Sequence, residues 1–220
     1  MAVTASKADT RLAKGQQTRD RLLEEALRLF AQKGPDAVGT RELAGAAGTN
    51  IASIAFHFGG KEGLYSAVIE GVAGELAAIH HKALVAASEA TGEDARTRAC
   101  RVMAGLVTAL LTSNRSQWMS LLLQREFIAP TPSFEKIYDR AIAPTLTAIS
   151  RLVGEATGRD DRSLDNKVLA YAFFIMASAF ARNKITFLRF TGLPEYTDQV
   201  VAAISRVLAA FVENGLARPS

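Results

Sequence analysis

From Thr40 to Leu64 the chain reads TRELAGAAGTNIASIAFHFGGKEGL, and here the residues able to do chemistry are most concentrated. The chemistry is recognition of a duplex. Leu43, Ala44, Ala47, Ile54 and Phe58 recur where two short helices would cross, and Ala44 must be small because the crossing is close. Gly48 lies between them, at a turn whose positive φ most other residues adopt only at a cost. A helix-turn-helix of this kind lays its second helix in the DNA major groove. On that helix Thr49, Asn50, Ser53 and His57 can point outward, together with Ile51, Ala52 and Phe56. Asn and Ser suit base edges, and Ile and Phe can contact thymine methyl groups. Thr40 is expected to cap the first helix of the pair and to touch a phosphate, with Arg41 beside it. Lys61, Thr18 and Arg19 are further candidates for backbone contacts.

Catalytic patterns are missing from the sequence. It contains no Ser/His/Asp grouping, no metal-ligand spacing and no phosphate-binding glycine loop. His57, His80 and His81 are the only histidines, and the adjacent His80 and His81 must point in different directions on a helix. Cys100 is the single cysteine, so no intrachain disulfide can form, and it is expected to be buried in a helix. No catalytic residue, metal or cofactor is expected.

These residues need helices to position them. The chain has 220 residues, 49% hydrophobic and 22% charged, with only 6 prolines, which favours a soluble all-helical fold. Leu22, Ala26 and Phe30 recur along a helix expected over Gln16–Lys33, stopped by Gly34 and Pro35. Short helices follow from Thr40 to about Ala47 and over Asn50–Phe58. A long one runs from Lys61 to about Ser88 with Leu64, Val68, Val72, Leu76 and Ile79 on its apolar face. Further helices are expected over Asp94–Leu111, Ser116–Ile128, Ser133–Thr157 (bent near Pro144), Ser163–Arg189 (broken near Asn183) and Glu195–Asn214. Residues 1–14 read as a flexible arm whose Lys7, Arg11 and Lys14 could follow a groove. Residues 15–60 form the helix-turn-helix domain, with the motif at about 38–57, and residues 61–220 a second helical domain.

The net charge of +4 permits a polyanionic partner, but Met1 to His80 holds nine Lys/Arg and nine Asp/Glu. Duplex recognition must therefore rest on local geometry rather than bulk charge. The N-terminus has no apolar core segment, so a signal peptide is not expected. The apolar run Val168–Ala181 is short of the roughly 20 residues that span a bilayer. A cytoplasmic protein with no membrane partner is the expectation.

The combination Thr18-Arg19-Asp20, Leu22-Leu23, Ala26, Leu29-Phe30, Gly34, Thr40-Arg41-Glu42-Leu43-Ala44, Ala47-Gly48, Ile54, His57-Phe58 and Lys61-Glu62-Gly63-Leu64 resembles the TetR family of bacterial transcription regulators. The resemblance covers about the first third of the chain. It implies an all-α homodimer with an N-terminal three-helix DNA-binding domain and a C-terminal helical domain for ligand binding and dimerisation. Many relatives carry glycine where this chain has Ala52, and tyrosine where it has Ala55. That tyrosine usually helps grip a phosphate, and alanine cannot. A second resemblance, to the CecR-type subgroup, is carried by Arg125-Glu126-Phe127, Pro130-Thr131-Pro132, Phe134 through Pro144, Gly59 through Tyr65 and Gly192-Leu193-Pro194-Glu195-Tyr196.

In the C-terminal part, Trp118, Met119, Leu122, Phe127, Phe134, Tyr138 and Phe174 are candidate lining residues of an effector pocket. Arg125, Glu126, Gln124 and Asn114 could orient the ligand's polar groups. Phe173 to Met176 make their helix apolar nearly all round, so it needs cover on several sides. Phe173, with Ile204, Val207, Leu208 and Phe211 of the last helix, is expected at a four-helix interface between two copies. The expected function is a ligand-responsive regulator, most readily a repressor of a palindromic double-stranded operator. A helical adaptor that does not bind specific DNA is the alternative.

Overall fold

The computed structural model describes residues 7–88, 92–113 and 117–216. Every regular element among them is helical. They are α1 (Lys7–Lys33), α2 (Thr40–Ala46), α3 (Ile51–Phe58), α4 (Lys61–Ser88), α5 (Ala95–Thr112), α6 (Gln117–Ile128), α7 (Phe134–Ile137), a π-helical turn (Tyr138–Ile142), α8 (Ala143–Thr157), α9 (Leu164–Arg182), α10 (Lys184–Thr191) and α11 (Asp198–Gly215). The protein is all-α.

The helix expected from Gln16 begins at Lys7. Residues 1–6 of the expected arm lie outside the described residues, as do the side chains of Lys7 and Arg11. The segment KADTRLAK is rich in good helix formers, and Gly15 inside the helix is a cost of about 1 kcal/mol rather than a stop. Pro144 does not end its helix. The π-helical turn closes with the Ala143 N–H donating to the Tyr138 carbonyl. Pro144 then falls in the first turn of α8, where its missing N–H costs little.

The chain divides into two compact units, Met1–Val72 with Arg115–Lys136 and Ala73–Asn114 with Ile137–Ser220. The division falls inside α4 rather than at residue 60. Leu64, Tyr65, Val68 and Ile69 of α4 are buried in the first unit, as are Met119, Leu122 and Leu123 of α6. Leu22, Ala26 and Phe30 are fully buried there. The Phe30 ring meets Tyr65 edge-on at 5.0 Å, a favoured aromatic geometry. Gly34, with φ +83, ends α1.

In the second unit α5 packs against α8, α9 and α11, and α8 against α9. His80 belongs to this core. Its Nδ1 lies 3.0 Å from the Thr145 hydroxyl, and its ring meets Phe174 edge-on at 5.6 Å. His81 is exposed. Cys100 is half-buried, with its thiol 3.5 Å from the Ala209 carbonyl. Burial, and then the charge of Glu213, push that thiol above its ordinary range, which disfavours the reactive thiolate.

The whole of α9, at 19 residues, is long and apolar enough to cross a membrane by length and composition alone, and 28% of its apolar stretch is buried within the chain. A core helix of a water-exposed protein meets the same description. Here α9 packs on α5 and α8 and keeps an apolar outer face, with Leu164, Val168 and Tyr171 exposed.

Candidate nucleic-acid interface

The recognition unit is built by α2, α3 and the turn between them. Gly39, extended at φ −88 and ψ 153, is the N-cap of α2, and its carbonyl accepts the Leu43 N–H at 3.1 Å. Thr40 is therefore the first helical residue and not the cap, which corrects the expected pairing of roles. Leu43, Ala44, Ala47 and Ile54 are buried between the two helices. Gly48 adopts φ +61, and the Thr49 N–H closes the turn on the Ala44 carbonyl at 2.9 Å.

Asn50 is the N-cap of α3. Its Oδ1 accepts the Ser53 N–H at 2.9 Å and lies 3.0 Å from the Ser53 hydroxyl. That hydroxyl is also 2.8 Å from the Thr49 hydroxyl. Capping satisfies one of the orphan N–H groups at the helix start and is worth about 1 kcal/mol. It also commits the Asn50 carbonyl oxygen, so Nδ2 is the group Asn50 has to offer a base. Beyond the cap, α3 exposes Ile51, Ala52, Ala55 and Phe56, the last 84% exposed. His57 is half-buried, with its ring edge-on to Phe56 at 4.9 Å.

The flanking cations are ordered by local contacts. The Arg19 guanidinium stands 5.2 Å over the Phe58 ring. The Thr18 hydroxyl donates to the Lys14 carbonyl at 3.0 Å. Lys61 donates to the Pro35 carbonyl at 3.0 Å, and Arg41 is exposed. Arg21 is a residue that sequence reasoning missed. Its guanidinium lies 3.9 Å from the position a Cβ would take on Gly48, beside the turn. The spacing of three from Thr18 could have revealed it, since residues three apart share a helix face.

After α3, Gly59 and Gly60 turn the chain at φ +74 and +131. The end of α3 then meets the first turn of α4 backbone to backbone. A Cβ on Gly63 would sit 1.8 Å from the Phe58 carbonyl oxygen.

The candidate effector residues are divided between the two units. Trp118, Met119, Leu122, Arg125, Phe127 and Phe134 belong to the first unit, and Tyr138 and Phe174 to the second. Met119 and Leu122 are core residues. Arg125 caps the C-terminus of α1, donating to the Ala31 and Gln32 carbonyls at 2.7 Å each. Phe127 and Phe134 meet edge-on at 6.0 Å. Glu126, 1% exposed, accepts from the Tyr65 hydroxyl, and from the Thr131 N–H at 3.1 Å and the Thr131 hydroxyl at 3.0 Å. Burial first, and then this bond to Glu126, hold the Tyr65 phenol well above its ordinary value. Asn114 lies outside the described residues. Of the candidate interface residues, Phe173, Ile204 and Leu208 are already buried within the chain, so a partner is not what covers them. Val207 and Phe211 remain 52% and 62% exposed.

Comparison with known proteins follows the same division. The family model for bacterial regulatory proteins of the tetR family matches residues 22–68. The model for the C-terminal domain of the HTH-type transcriptional dual regulator CecR matches residues 75–216. The CecR protein of Shigella flexneri is 30% identical over 209 residues, which cover 91% of this chain and 92% of that protein. Among solved structures, a tetR-family regulatory protein from Rhodococcus RHA1 superposes with a TM-score of 0.62 at 20% identity, covering 92% of this chain and 98% of that one. The ketosteroid transcriptional regulator KstR2 of Mycobacterium tuberculosis gives 0.60 at 19% identity, covering 90% and 93%. These two likenesses speak to the fold. The two family models and the 30% identity over nearly the whole chain place the protein: it belongs to the TetR family of bacterial regulatory proteins, a DNA-binding transcriptional regulator rather than an enzyme, with a C-terminal domain of the CecR type.

Proposed function

We propose that the chain works in the cytoplasm as a homodimeric repressor of a palindromic operator and is released by a small amphipathic effector. The observation that carries the reading is the exposed face of α3. Ile51, Ala52 and Phe56 present apolar groups suited to thymine methyls, and Asn50 keeps an amide donor at the groove end. Thr40, Arg41, Thr49, Ser53, His57 and Lys61, with Thr18 and Arg19 of α1, border that face and supply groups for phosphates. One α3 makes too few base contacts for strong specificity, so two copies must reach successive major grooves roughly 34–36 Å apart. A second copy would also cover the apolar outer faces of α9 and α11, where Val207 and Phe211 are exposed. An effector that binds one conformer better than another would then shift DNA affinity by that difference. Helix α4 starts next to α3 and continues into the second unit, which makes it the lever.

The test is fluorescence anisotropy with a palindrome from the chain's own promoter, its half-site and a random duplex, at several salt concentrations. The palindrome is expected to bind at least about a thousandfold tighter than the random duplex. Lys61→Ala should weaken all duplexes alike and lower the salt slope by about one, and Phe56→Ala should relax base preference. Equal affinity for every duplex would overturn the reading and favour the adaptor. The Shigella relative is described as a dual regulator, so promoter output is read in both directions.

A further inference from the structure

We infer that the second unit carries a binding site for an organic anion with an aromatic or apolar body, seated between α8 and α9 beside the turn that joins them. This deepens the effector reading by naming the ligand's charge and its place, and the binding itself can be tested without DNA.

A cavity of about 540 Å³ opens there, within the range of small-molecule sites, roughly 300–1,000 Å³. Three cations from three segments line it: Arg151 of α8, Arg162 of the turn and Lys167 of α9. Asp161 is the lining carboxylate. None of the three cations forms an ion pair among the described residues, whereas Arg98 holds Glu155, one turn further along α8, at 2.6 Å. Exposed cations scattered on a surface are ordinary and solvated. Three without partners converging on one concavity focus a positive potential where an anion can sit. Arg151 and Arg162 offer the forked donors that match a carboxylate, sulfonate or phosphate. Tyr138 and Tyr171 line the same cavity and supply flat apolar faces for the rest of the ligand.

The wall is held in place. Asn166 is fully buried and donates through Nδ2 to the Ser150 carbonyl at 2.8 Å, the Ser150 hydroxyl at 2.9 Å and the Asp161 carbonyl at 3.3 Å. The Ser150 hydroxyl donates to the Asp161 carbonyl at 2.9 Å. These bonds tie α8, the turn and α9 together around two lining residues, so the cations stand on a preformed frame. Tyr171 also belongs to the exposed apolar row of α9, so the cavity adjoins the face proposed to meet a second copy.

The test uses the full chain and two probes with the same rings, 1-anilinonaphthalene-8-sulfonate and the uncharged N-phenyl-1-naphthylamine, titrated by fluorescence with calorimetric stoichiometry. The sulfonate is expected to saturate at one per chain. It should bind about tenfold more weakly to Arg151→Gln/Arg162→Gln/Lys167→Gln, given three partly exposed charge contacts, while the neutral probe binds that variant unchanged. Circular dichroism checks that the triple variant folds. Arg162→Gln alone, in the turn, should show a smaller loss of the same sign. Unchanged sulfonate affinity in both variants, or equal losses for the two probes, would overturn the site and place the dye on the apolar outer faces instead. Operator binding without probe should be untouched by these substitutions, so failure here is separate from failure of the regulator reading.

Discussion

Gly63→Ala tests whether close backbone contact sets the recognition helix. The new Cβ would lie 1.8 Å from the Phe58 carbonyl oxygen and 3.0 Å from its carbon. Real Cβ contacts do not fall below 3.0 Å, so the end of α3 must separate from α4 by more than an ångström. The obstruction is backbone, and no rotamer relieves it. Overpacking of this kind costs about 1–3 kcal/mol, and a clash this deep belongs at the upper end. The helix propensity of alanine over glycine returns about 1 kcal/mol. The net loss is about 2 kcal/mol, or a fall in Tm of roughly 4–8 °C for a chain of this length. Gly71, in the same helix, has no atom within 4 Å of its ideal Cβ. Gly71→Ala should therefore raise stability by about 0.5–1 kcal/mol. Thermal unfolding of the two variants, followed by operator binding at a temperature where both are folded, gives opposite signs if the contact matters. A Gly63→Ala protein that melts at or above the parent and binds operator equally would refute the reasoning.

Two further outcomes follow from buried and exposed groups. The Tyr65 phenol is held above its ordinary value of 10.0 by burial and by Glu126, so the neutral form is favoured in the fold. Its contribution is full below about pH 10 and is lost as pH rises from there. Tyr65→Phe should flatten that alkaline decline in urea midpoints between pH 8 and 11, while costing about 1–3 kcal/mol at neutral pH because Glu126 loses a donor; an alkaline decline as steep as the parent's would count against it. Val207→Ser/Phe211→Ser should shift the proposed dimer towards monomer in sedimentation equilibrium with little effect on monomer folding, since both side chains are more than half exposed; an unchanged dimer would move the interface elsewhere.

Much of the local structure was legible because its causes are local. The row Leu64, Val68, Val72, Leu76 and Ile79 is buried at every position, as the 3.6-residue period requires. The break expected near Asn183 separates α9 from α10, and Gly48 takes the positive φ that its turn demanded. Thr40 shows where local reasoning slips. A good capping residue stood one position inside the helix, because the register of the chain entering α2 put Gly39 at the cap. Arg125 looked like a ligand contact on its own helix. Its role became visible only when α6 packed along α1 and brought it to the open carbonyls of Ala31 and Gln32.

The family, the helical class and the recognition motif were determined by the sequence alone, because turn chemistry, helical period and small packed positions act over a few residues. Tertiary structure decided the rest. It buried Phe173, Ile204 and Leu208 inside one chain while leaving Val207 and Phe211 outside, since which stripe of an apolar helix faces the core depends on the helices it meets. It divided the aromatic residues expected to share a pocket between two units. It gathered Arg151, Arg162 and Lys167 around one cavity, which no spacing along the chain displays. Contacts between residues far apart in sequence follow from helix packing, and a linear pattern of polar and apolar residues specifies faces without naming their partners.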